Sequence, residues 1–410
     1  MCKNRIGNIL VLAQWSYKDA LIQTYTLPYI NIIRNLVSVE HRIYLATSEQ
    51  NKLALSNEEL KHVNTGFEQR NIKLIAQKYY PLGLKKYFFS FFQIASLFFT
   101  VKRRKITTIH CFCTPAGSMG YLLSVLTGAT LIIDSYEPHA EAMVENGTWK
   151  KSGLPFKILF FFEKLQSKRA KSFIATSSGM KQYALDRYNI AINNFYVKPA
   201  CVDLSKFSGS EKNITLLDEL DLRDKIVCVY AGKLGGTYLK EEVFDFIFAC
   251  YSHWGSKFRF LMLTNATQRE VEDECNRVGL PSEIVFRKFV LHEKVPQYLS
   301  IGDFAINPVR PVPTKRLCTS IKDGEYWAKG LPVVITKDIS DDSSIISTNN
   351  IGYELQSLSK EEYNKAIIKI EELLTINPKS TLNSKIRSIA VRYRSFDIAA
   401  NIYAKIYKTE

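Results

Sequence analysis

The feature that most limits the fold of this chain is a regular alternation of short apolar runs with longer helix-like segments. Runs that are apolar throughout are typical of parallel strands covered by helices on both faces. We therefore predict an α/β protein with doubly wound parallel sheets. The predicted strands lie at 8–13, 41–47, 72–75, 107–113, 129–135 and 172–178 in the first half, and at 225–230, 259–264, 284–290, 304–309 and 332–335 in the second.

The alternation lapses between residues 199 and 221, where the sequence is polar and contains Gly and Ser. Such a stretch is typical of a hinge between domains, and 410 residues are too many for one typical core. We predict two Rossmann-like domains that face each other across a cleft. Their predicted extents are 1–200 for the first domain, 201–222 for the linker, 223–385 for the second domain, and 386–410 for a C-terminal helix that crosses back to the first domain.

Composition excludes several classes of protein. A chain with 46% hydrophobic and 23% charged residues has enough apolar surface for large cores and is not disordered. Its eight cysteines lack zinc-site spacing, so we expect free thiols and no zinc site. The start, MCKNRIGNILVLA, lacks a polar spacer and a small-residue cleavage site, which predicts no signal peptide and a cytoplasmic protein.

The net charge of +15 favours an anionic partner. Two predicted helices, 84–105 and 154–171, combine many Phe residues with Lys and Arg. The first has Lys85 and Lys86 at one end and the basic run 102–105 at the other, and the roughly fifteen residues between them are too few to span a bilayer, which needs about 20. We expect both helices to bind an anionic membrane surface, and no nucleic acid. The alternative is two core helices with solvated basic faces.

The stretch from Thr319 to Val334, TSIKDGEYWAKGLPVV, predicts a ligand site at a helix start. Thr319 or Ser320 can cap the first turn, where free N–H groups and the helix dipole attract phosphate. Lys322 would add a positive charge, and Glu325 could accept hydrogen bonds from the paired hydroxyls of a sugar. An ordinary capped amphipathic helix explains the spacing equally well.

A glycine-rich turn, Gly232 to Gly236, follows the first strand of the second domain and precedes a helix. Such a turn lets backbone N–H groups approach a phosphate, although a tight strand-to-helix turn without ligand is the commoner explanation. Gly232, Lys233, Gly235 and Gly236 are the candidate phosphate contacts. Because the carboxyl ends of parallel strands meet at one sheet edge, this turn and the stretch that begins at Thr319 are expected to converge.

Polar residues also follow two predicted strands of the first domain. Glu137 and His139 come after the strand at 129–135 and could share a proton in general acid or base chemistry. A lone histidine beside a proline is more often structural, and we interpret His110, inside an apolar strand, as a core residue. The loop after the first strand offers four candidate acceptor-binding residues: Ser16, Tyr17, Gln23 and Thr24.

These motifs together resemble the GT-B glycosyltransferases, and within them the family-four-like enzymes that use nucleotide sugars. The resemblance covers nearly the whole chain and is most specific in the second half. It rests on YAGKLGG at 230–236, TSIKDGEY at 319–326 with GLPVV at 330–334, IDSYEPH at 133–139, and the closing helix near 403–407.

The resemblance implies that the second domain holds a nucleotide diphosphate, through Lys233, Gly235, Gly236 and Lys322, with Glu325 on the ribose. It implies His139 at the transferred sugar, and metal-independent transfer with retention of configuration. The sequence departs from the pattern at two positions. Lys233 stands where the family usually has arginine, which keeps the charge but loses the bidentate fork, and Leu317 stands where a second glutamate usually lies.

We therefore expect a glycosyltransferase that uses a nucleotide sugar as co-substrate, without cofactor or metal. Its expected acceptor is a saccharide, lipid-linked in bacterial capsule, O-antigen or similar polysaccharide assembly, at the inner face of the membrane. Two alternatives stay open: a nucleotide-sugar 2-epimerase on the same architecture, and a catalytically silent nucleotide-sugar binder or scaffold, with which the leucine at 317 is compatible.

Overall fold

The computed structural model describes residues 7–81, 84–208, 212–376 and 378–408, with only the backbone for 84–87. Cys2 and the side chains of Lys85 and Lys86 therefore lie outside the described residues. The chain forms two compact units. The first unit comprises Met1–Lys198 and Asp397–Glu410, and the second comprises Pro199–Phe396.

The first unit contains a seven-stranded parallel sheet. Its strands are β1 (Asn8–Leu12), β2 (Ile43–Glu49), β3 (Ile72–Lys78), β4 (Ile106–Phe112), β5 (Thr130–Tyr136), β6 (Ser172–Ala175) and β7 (Phe195–Val197). They lie in the order β3-β2-β1-β4-β5-β6-β7. Consecutive residues of β1, such as Ile9, Leu10 and Val11, are fully buried, as expected for a sheet covered on both faces.

Helices connect the strands of this sheet. They are α1 (Leu27–Leu36), which a π-helical segment (Leu21–Thr26) precedes, α2 (Asn57–Glu68), α3 (Leu84–Arg103), α4 (Thr114–Thr127), α5 (His139–Glu145), α6 (Leu154–Arg169) and α7 (Met180–Tyr188). Local sequence explains several of their ends. Ser56 and Glu59 form a capping box that starts α2, and Gly128, with φ of +79°, ends α4 in the left-handed conformation that glycine favours.

The second unit contains a six-stranded parallel sheet. Its strands are β8 (Ile226–Ala231), β9 (Phe258–Leu263), β10 (Val285–Lys288), β11 (Phe304–Asn307), β12 (Val333–Thr336) and β13 (Gly352–Leu355). They lie in the order β10-β9-β8-β11-β12-β13. The predicted α/β class with two parallel sheets is confirmed.

The helices of the second unit cover its sheet. They are α8 (Ile214–Glu219), α9 (Glu241–Trp254), α10 (Gln268–Val278), α11 (Val295–Leu299), α12 (Ile321–Ala328), α13 (Asp342–Asn349), α14 (Lys360–Leu374) and α15 (Lys379–Arg394). A last helix, α16 (Phe396–Tyr407), lies almost entirely in the first unit.

Two predicted boundaries differ from the structure. Residues 201–222 belong to the second unit rather than to a linker, because Val202, Leu217 and Leu222 are buried in its hydrophobic core. The closing helix is two helices, α15 and α16, since Ser395 between them has the extended backbone angles φ −70° and ψ 152°. The break lets α15 stay with the second unit while α16 returns to the first.

Candidate functional site

The sheet of the second unit reverses its strand order between β8 and β11. In parallel sheets such reversal points open a crevice at the carboxyl ends of the strands, where ligands bind. The turn at 232–236 follows β8, and the segment that leads into α12 follows β11. The two stretches that the sequence singled out therefore lie at the reversal point.

The glycine turn needs glycine for two reasons. Gly235 and Gly236 have φ of +77° and +62°, a conformation that other residues rarely adopt. At Gly232 a side chain would meet a neighbour, because a Cβ there would lie 2.4 Å from Cε of Lys322. The lysine thus lies directly against the turn. Lys233 is exposed beside it, and its carbonyl accepts a hydrogen bond from the Tyr230 hydroxyl.

The expected side-chain cap of α12 is absent from the described contacts, which corrects the prediction for Thr319 and Ser320. Thr319 Oγ1 accepts a hydrogen bond from the backbone N–H of Ala200 at 3.0 Å, so it holds the 199–202 segment instead. Ser320 is the N-cap residue by backbone geometry but makes no side-chain cap bond. Its buried Oγ has no hydrogen-bond partner among the described residues, which leaves a hydroxyl at the helix start for a ligand.

Lys322 is 9% exposed, and its amine is held in place by one aromatic residue. Its Nζ donates to the Tyr238 hydroxyl at 2.7 Å and lies 4.0 Å from the centroid of the same ring. No acidic side chain within the described residues forms an ion pair with this amine. The positive charge is therefore available to an anion at the glycine turn.

Glu325 lies one turn further along α12 and is 5% exposed. Its Oε1 is 3.0 Å from Nε2 of His292, in the loop after β10. This hydrogen bond to the carboxylate raises the pKa of His292 above its ordinary value. The sequence reasoning missed His292, although its place just after a predicted strand of the same sheet was a usable signal.

A buried polar cluster fixes the other face of α12. Asp323 is fully buried and accepts a hydrogen bond from Asn307 Nδ2 at 2.7 Å. Burial, together with the nearby carboxylate of Asp342, raises the pKa of Asp323 well above its ordinary value. Asp342 in turn pairs with the buried guanidinium of Arg394. The cluster orients Lys322 and Glu325 by fixing the helix that carries them.

Leu317 occupies the position at which the resemblance expects a second glutamate. It ends a short 3-10 helix (Pro313–Leu317) and is 7% exposed. A buried apolar side chain at this position cannot accept a hydrogen bond from a sugar hydroxyl.

In the first unit the strand order reverses between β1 and β4. Cys113 and Ser135, at the carboxyl ends of β4 and β5, have φ of +66° and +50°. Strained backbone of this kind is concentrated at functional sites, where the surrounding structure holds it. The segment that contains Glu137 and His139 follows directly after Ser135.

Glu137 and His139 lie close enough to interact. Nδ1 of His139 is 3.4 Å from Oε1 of Glu137, and their side chains are 31% and 26% exposed. The histidine can therefore meet a ligand while the carboxylate orients its ring. Glu141, which follows on α5, is instead bound to Arg187 and to the Tyr183 hydroxyl.

Behind this pair lies Glu163 of α6, which is fully buried. Its Oε1 accepts hydrogen bonds from the Thr114 hydroxyl at 2.9 Å and from the N–H of Ala140 at 3.0 Å. Its Oε2 accepts one from the Tyr188 hydroxyl at 3.0 Å. Burial raises the pKa of Glu163 to about 7. The carboxylate thus holds Ala140, the residue next to His139, in place. The sequence prediction missed Glu163, which lies within a Phe-rich helix.

A second buried network anchors α16. Asp134 of β5 contacts Lys198 Nζ at 3.2 Å and His110 Nε2 at 3.2 Å, and the Tyr403 hydroxyl donates to it at 2.5 Å. Burial opposes its ionisation, but Lys198 and the two hydrogen bonds outweigh this and lower the pKa of Asp134 to about 2. His110 is fully buried, in agreement with its predicted core position.

The predicted acceptor residues Ser16 and Tyr17 lie in the loop after β1, and Gln23 and Thr24 lie in the π-helical segment that follows it. Ser16 is fully buried, and its hydroxyl is committed to Gln50 N–H at 2.8 Å and the Ser48 carbonyl, so it is a structural residue. Thr24 donates to the Ala20 carbonyl one turn earlier. Gln23 donates to the Tyr17 carbonyl at 2.6 Å, and the Tyr17 ring packs on Phe67. Contacts within the segment and with Ser48, Gln50 and Phe67 thus hold these side chains in place.

The two basic, Phe-rich helices are exposed to very different degrees. Helix α3 exposes Phe88, Phe91, Phe92 and Phe99, each more than half exposed, and its basic run 102–105 is also exposed. Helix α6 exposes Leu154 and Phe161 but buries Phe156, Glu163 and Gln166. Within the described ranges, no helix combines the length and apolarity that crossing a bilayer requires.

No protein-family model and no curated protein sequence matches this chain. Solved structures match over nearly its whole length. HepE from Anabaena in complex with UDP has 16% identity and a TM-score of 0.71, with 97% of this chain and 98% of that chain covered. Sucrose-phosphate synthase from Thermosynechococcus elongatus has 13% identity and a TM-score of 0.70, with 98% of both chains covered.

WaaG, a glycosyltransferase involved in lipopolysaccharide biosynthesis, has 12% identity and a TM-score of 0.69, with 98% of this chain and 100% of that chain covered. Identities this low show similarity of fold. The predicted GT-B glycosyltransferase fold is therefore confirmed.

Proposed function

We propose that this chain is a glycosyltransferase that moves a sugar from a nucleotide-sugar donor to a saccharide acceptor. The proposal rests on the convergence, at the reversal point of the second sheet, of the glycine turn, the buried amine of Lys322 and the buried carboxylate of Glu325. An amine beside backbone N–H groups suits a diphosphate, and a carboxylate one turn away suits ribose hydroxyls. HepE, which shares the fold, was solved with UDP and with UDP-glucose, which supports a donor of this class.

In the proposed mechanism the second unit stabilises the departing diphosphate. The negative charge that develops on the diphosphate would be stabilised by Lys322, Lys233 and the N–H groups of Gly235 and Gly236. Electrostatic stabilisation of this type is the largest contribution in many enzymes. An acceptor hydroxyl would attack the anomeric carbon on the same face from which the diphosphate leaves. As the bond from that carbon to the phosphate oxygen breaks, this oxygen would take up the hydroxyl proton, so the sugar keeps its configuration, and no metal is needed. His139, oriented by Glu137, would contact the transferred sugar.

The deciding experiment measures donor binding and turnover. A thermal-shift screen of nucleotides and nucleotide sugars identifies the donor, since a ligand that binds only the folded state raises its apparent stability. Hydrolysis of that donor is then followed for wild type and Glu325→Ala. We expect the loss of a charged hydrogen-bond acceptor to lower kcat/KM roughly 10- to 100-fold, while Glu283→Ala, an exposed glutamate of the same unit, leaves it unchanged.

Three further outcomes refine or overturn the proposal. Donor binding without turnover, even with saccharide acceptors, would identify a silent binder, the alternative that the buried Leu317 favours. Inversion of the anomeric configuration, observed by NMR of the product, would exclude the retaining mechanism. A loss of turnover on addition of a chelator would exclude metal independence.

The setting we propose is bacterial surface polysaccharide assembly, such as capsule or O-antigen, with a lipid-linked acceptor at the inner face of the cytoplasmic membrane. Two observations support it: the fold is shared with WaaG, which is involved in lipopolysaccharide biosynthesis, and the exposed phenylalanines of α3 lie beside an exposed basic run. Apolar rings next to positive charge favour an anionic bilayer surface.

Liposome flotation tests the membrane contact. Wild type should float with vesicles of anionic phosphatidylglycerol and stay behind with vesicles of neutral phosphatidylcholine. Neutralising 102–105 should abolish flotation, whereas Phe161→Ser on α6 should change it little. Flotation that is unaffected by the neutralisation would refute docking through α3.

A further inference from the structure

The segment that follows β11 is held against the end of the glycine turn. Tyr238, the residue that holds the amine of Lys322, forms an antiparallel bridge with Val309. The backbone N–H of Arg310 donates to the Thr237 carbonyl at 2.9 Å. These backbone contacts fix the position of Arg310 beside the turn, although the two segments are far apart in the sequence.

The side chain of Arg310 also contacts the turn, through one of its three nitrogens. Its Nε donates to the Gly236 carbonyl at 3.4 Å, and the side chain is otherwise exposed. Because a guanidinium has five N–H donors, this bond leaves the four donors of the two terminal nitrogens. A guanidinium binds phosphate through such a fork of parallel N–H groups.

Arg310 has no anionic partner among the residues that the structure describes. Their carboxylates pair with several other arginines but not with this one. Arg316, further along the same segment, is paired with Asp338. The charge of Arg310 is therefore available to an anion from outside the chain.

Arg310 and Lys322 contact opposite ends of the glycine turn. Lys322 lies against Gly232, where a Cβ would be 2.4 Å from its Cε, and Arg310 lies against Gly236. Positive charge is thus present at both ends of the turn, with backbone N–H groups between. A diphosphate carries charge on two phosphate groups and can pair with both cations, whereas a single phosphate needs only one.

We propose that Arg310 is a further donor-binding residue, which binds one phosphate of a nucleoside diphosphate sugar while Lys322 binds the other. The inference rests on the proposed glycosyl transfer and deepens it, since it names a residue that distinguishes diphosphate from monophosphate donors. Arg310 supplies the bidentate fork that Lys233 lacks. As the diphosphate departs and its negative charge grows, the same contact stabilises it.

Titration calorimetry of the full chain tests this role, with UDP, ADP and GDP and with the corresponding monophosphates at one salt concentration. Arg310→Gln should weaken diphosphate binding roughly tenfold, because hydrogen bonds to a charged group are lost, and should leave monophosphate binding unchanged. Arg310→Lys keeps the charge without the fork and should fall between Arg310→Gln and wild type. The matched control is Arg223→Gln, the same change at an exposed arginine just before β8, at the opposite edge of the sheet.

Three results would overturn the role of Arg310. Equal diphosphate binding by wild type and Arg310→Gln would show that the guanidinium does not reach the ligand. An equal loss for diphosphate and monophosphate would indicate a structural role at the turn. Diphosphate binding by Arg310→Lys as tight as that of wild type would exclude the bidentate contact.

Lys322→Met separates this inference from the proposed function. If it weakens diphosphate binding while Arg310→Gln does not, the donor site stands and only the role of Arg310 is refuted. If wild type binds none of these nucleotides, both the role of Arg310 and the proposed function are refuted.

Discussion

The two sheets of this protein reverse their strand order in the same way but present different chemistry at the reversal point. In the second unit the edge carries a buried amine and a buried carboxylate, Lys322 and Glu325, beside a glycine turn. In the first unit the edge carries the half-buried pair Glu137 and His139. One topology therefore supports two kinds of site, because the side chains that follow the strands, and not the fold, decide what binds.

The largest expected effect tests the charged edge. Lys322→Met keeps the length of the side chain against Gly232 but removes its charge. We expect kcat for donor turnover to fall about 10²- to 10³-fold, the usual effect of losing one group that stabilises a developing negative charge. Steady-state kinetics with the identified donor measures it. Lys337→Met, at an exposed lysine of the same unit, is the matched control.

Donor turnover that is unchanged in Lys322→Met would show that this lysine does not stabilise the departing diphosphate. Circular dichroism of the variant shows whether a loss of turnover comes from unfolding.

The next effect belongs to the edge of the first unit. Burial raises the pKa of Glu163 to about 7, from an ordinary 4.5. A carboxyl group with a raised pKa holds its proton more tightly in the folded state, so its contribution to stability is complete below about pH 4.5 and is lost as pH rises through about 7. Glu163→Gln stays neutral and should keep up to about 3 kcal/mol of unfolding free energy that wild type loses by pH 8.

Urea denaturation at pH 5 and pH 8 measures this difference. The variant should gain on wild type between the two pH values, while Glu58→Gln, at an exposed position of α2, should show no such change. The expectation fails if the two proteins lose stability in parallel. Because Glu163 accepts a hydrogen bond from Ala140 N–H next to His139, turnover of the variant should also lose part of its dependence on pH near 7.

The sequence was sufficient to predict the α/β class with two parallel sheets, but the prediction missed the edge strands β7 (Phe195–Val197) and β13 (Gly352–Leu355). Apolar runs without alternation specified buried parallel strands, and the glycine turn and the Thr319–Val334 stretch fell at the reversal point because parallel topology places them there. Composition was less informative about helix faces. Helices α3 and α6 share a basic, Phe-rich pattern, yet α3 exposes four phenylalanines whereas α6 buries Phe156 and Glu163.

Residues that act through distant partners could not be predicted from sequence. Glu163 contacts Thr114, 49 residues away, and His292 contacts Glu325, 33 residues away. No local period signals such pairs, since they depend on which elements pack together. The cap predicted for α12 failed for the same reason, because Thr319 binds Ala200, 119 residues earlier.

A smaller effect tests how closely the side chain of Lys322 approaches the glycine turn at Gly232. In Gly232→Ala the new Cβ would lie 2.4 Å from Lys322 Cε and 2.8 Å from the Tyr230 hydroxyl oxygen. The flexible end of the lysine can move away, so the fold should lose only about 1 kcal/mol, while KM for the donor rises about tenfold. Gly66→Ala is the control, since a Cβ there meets nothing within 4 Å, and it should stabilise α2 by about 0.5–1 kcal/mol. Equal KM values in the two variants would show that Lys322 does not belong to the donor site.

The smallest expected effect compares titration at the two edges. The hydrogen bond to Glu325 raises the pKa of His292 above 6.5, so the stability it contributes is present below about pH 6.5 and is lost as pH rises through the raised value. The His292 side chain is 46% exposed, and solvent screening keeps the contribution below about 1 kcal/mol. Wild type should therefore exceed His292→Gln slightly in unfolding free energy at pH 5.5 and equal it at pH 9. If this difference exceeded that of Glu163→Gln, the edge of the second unit would dominate the pH response, because the exposed histidine would then outweigh the buried carboxylate.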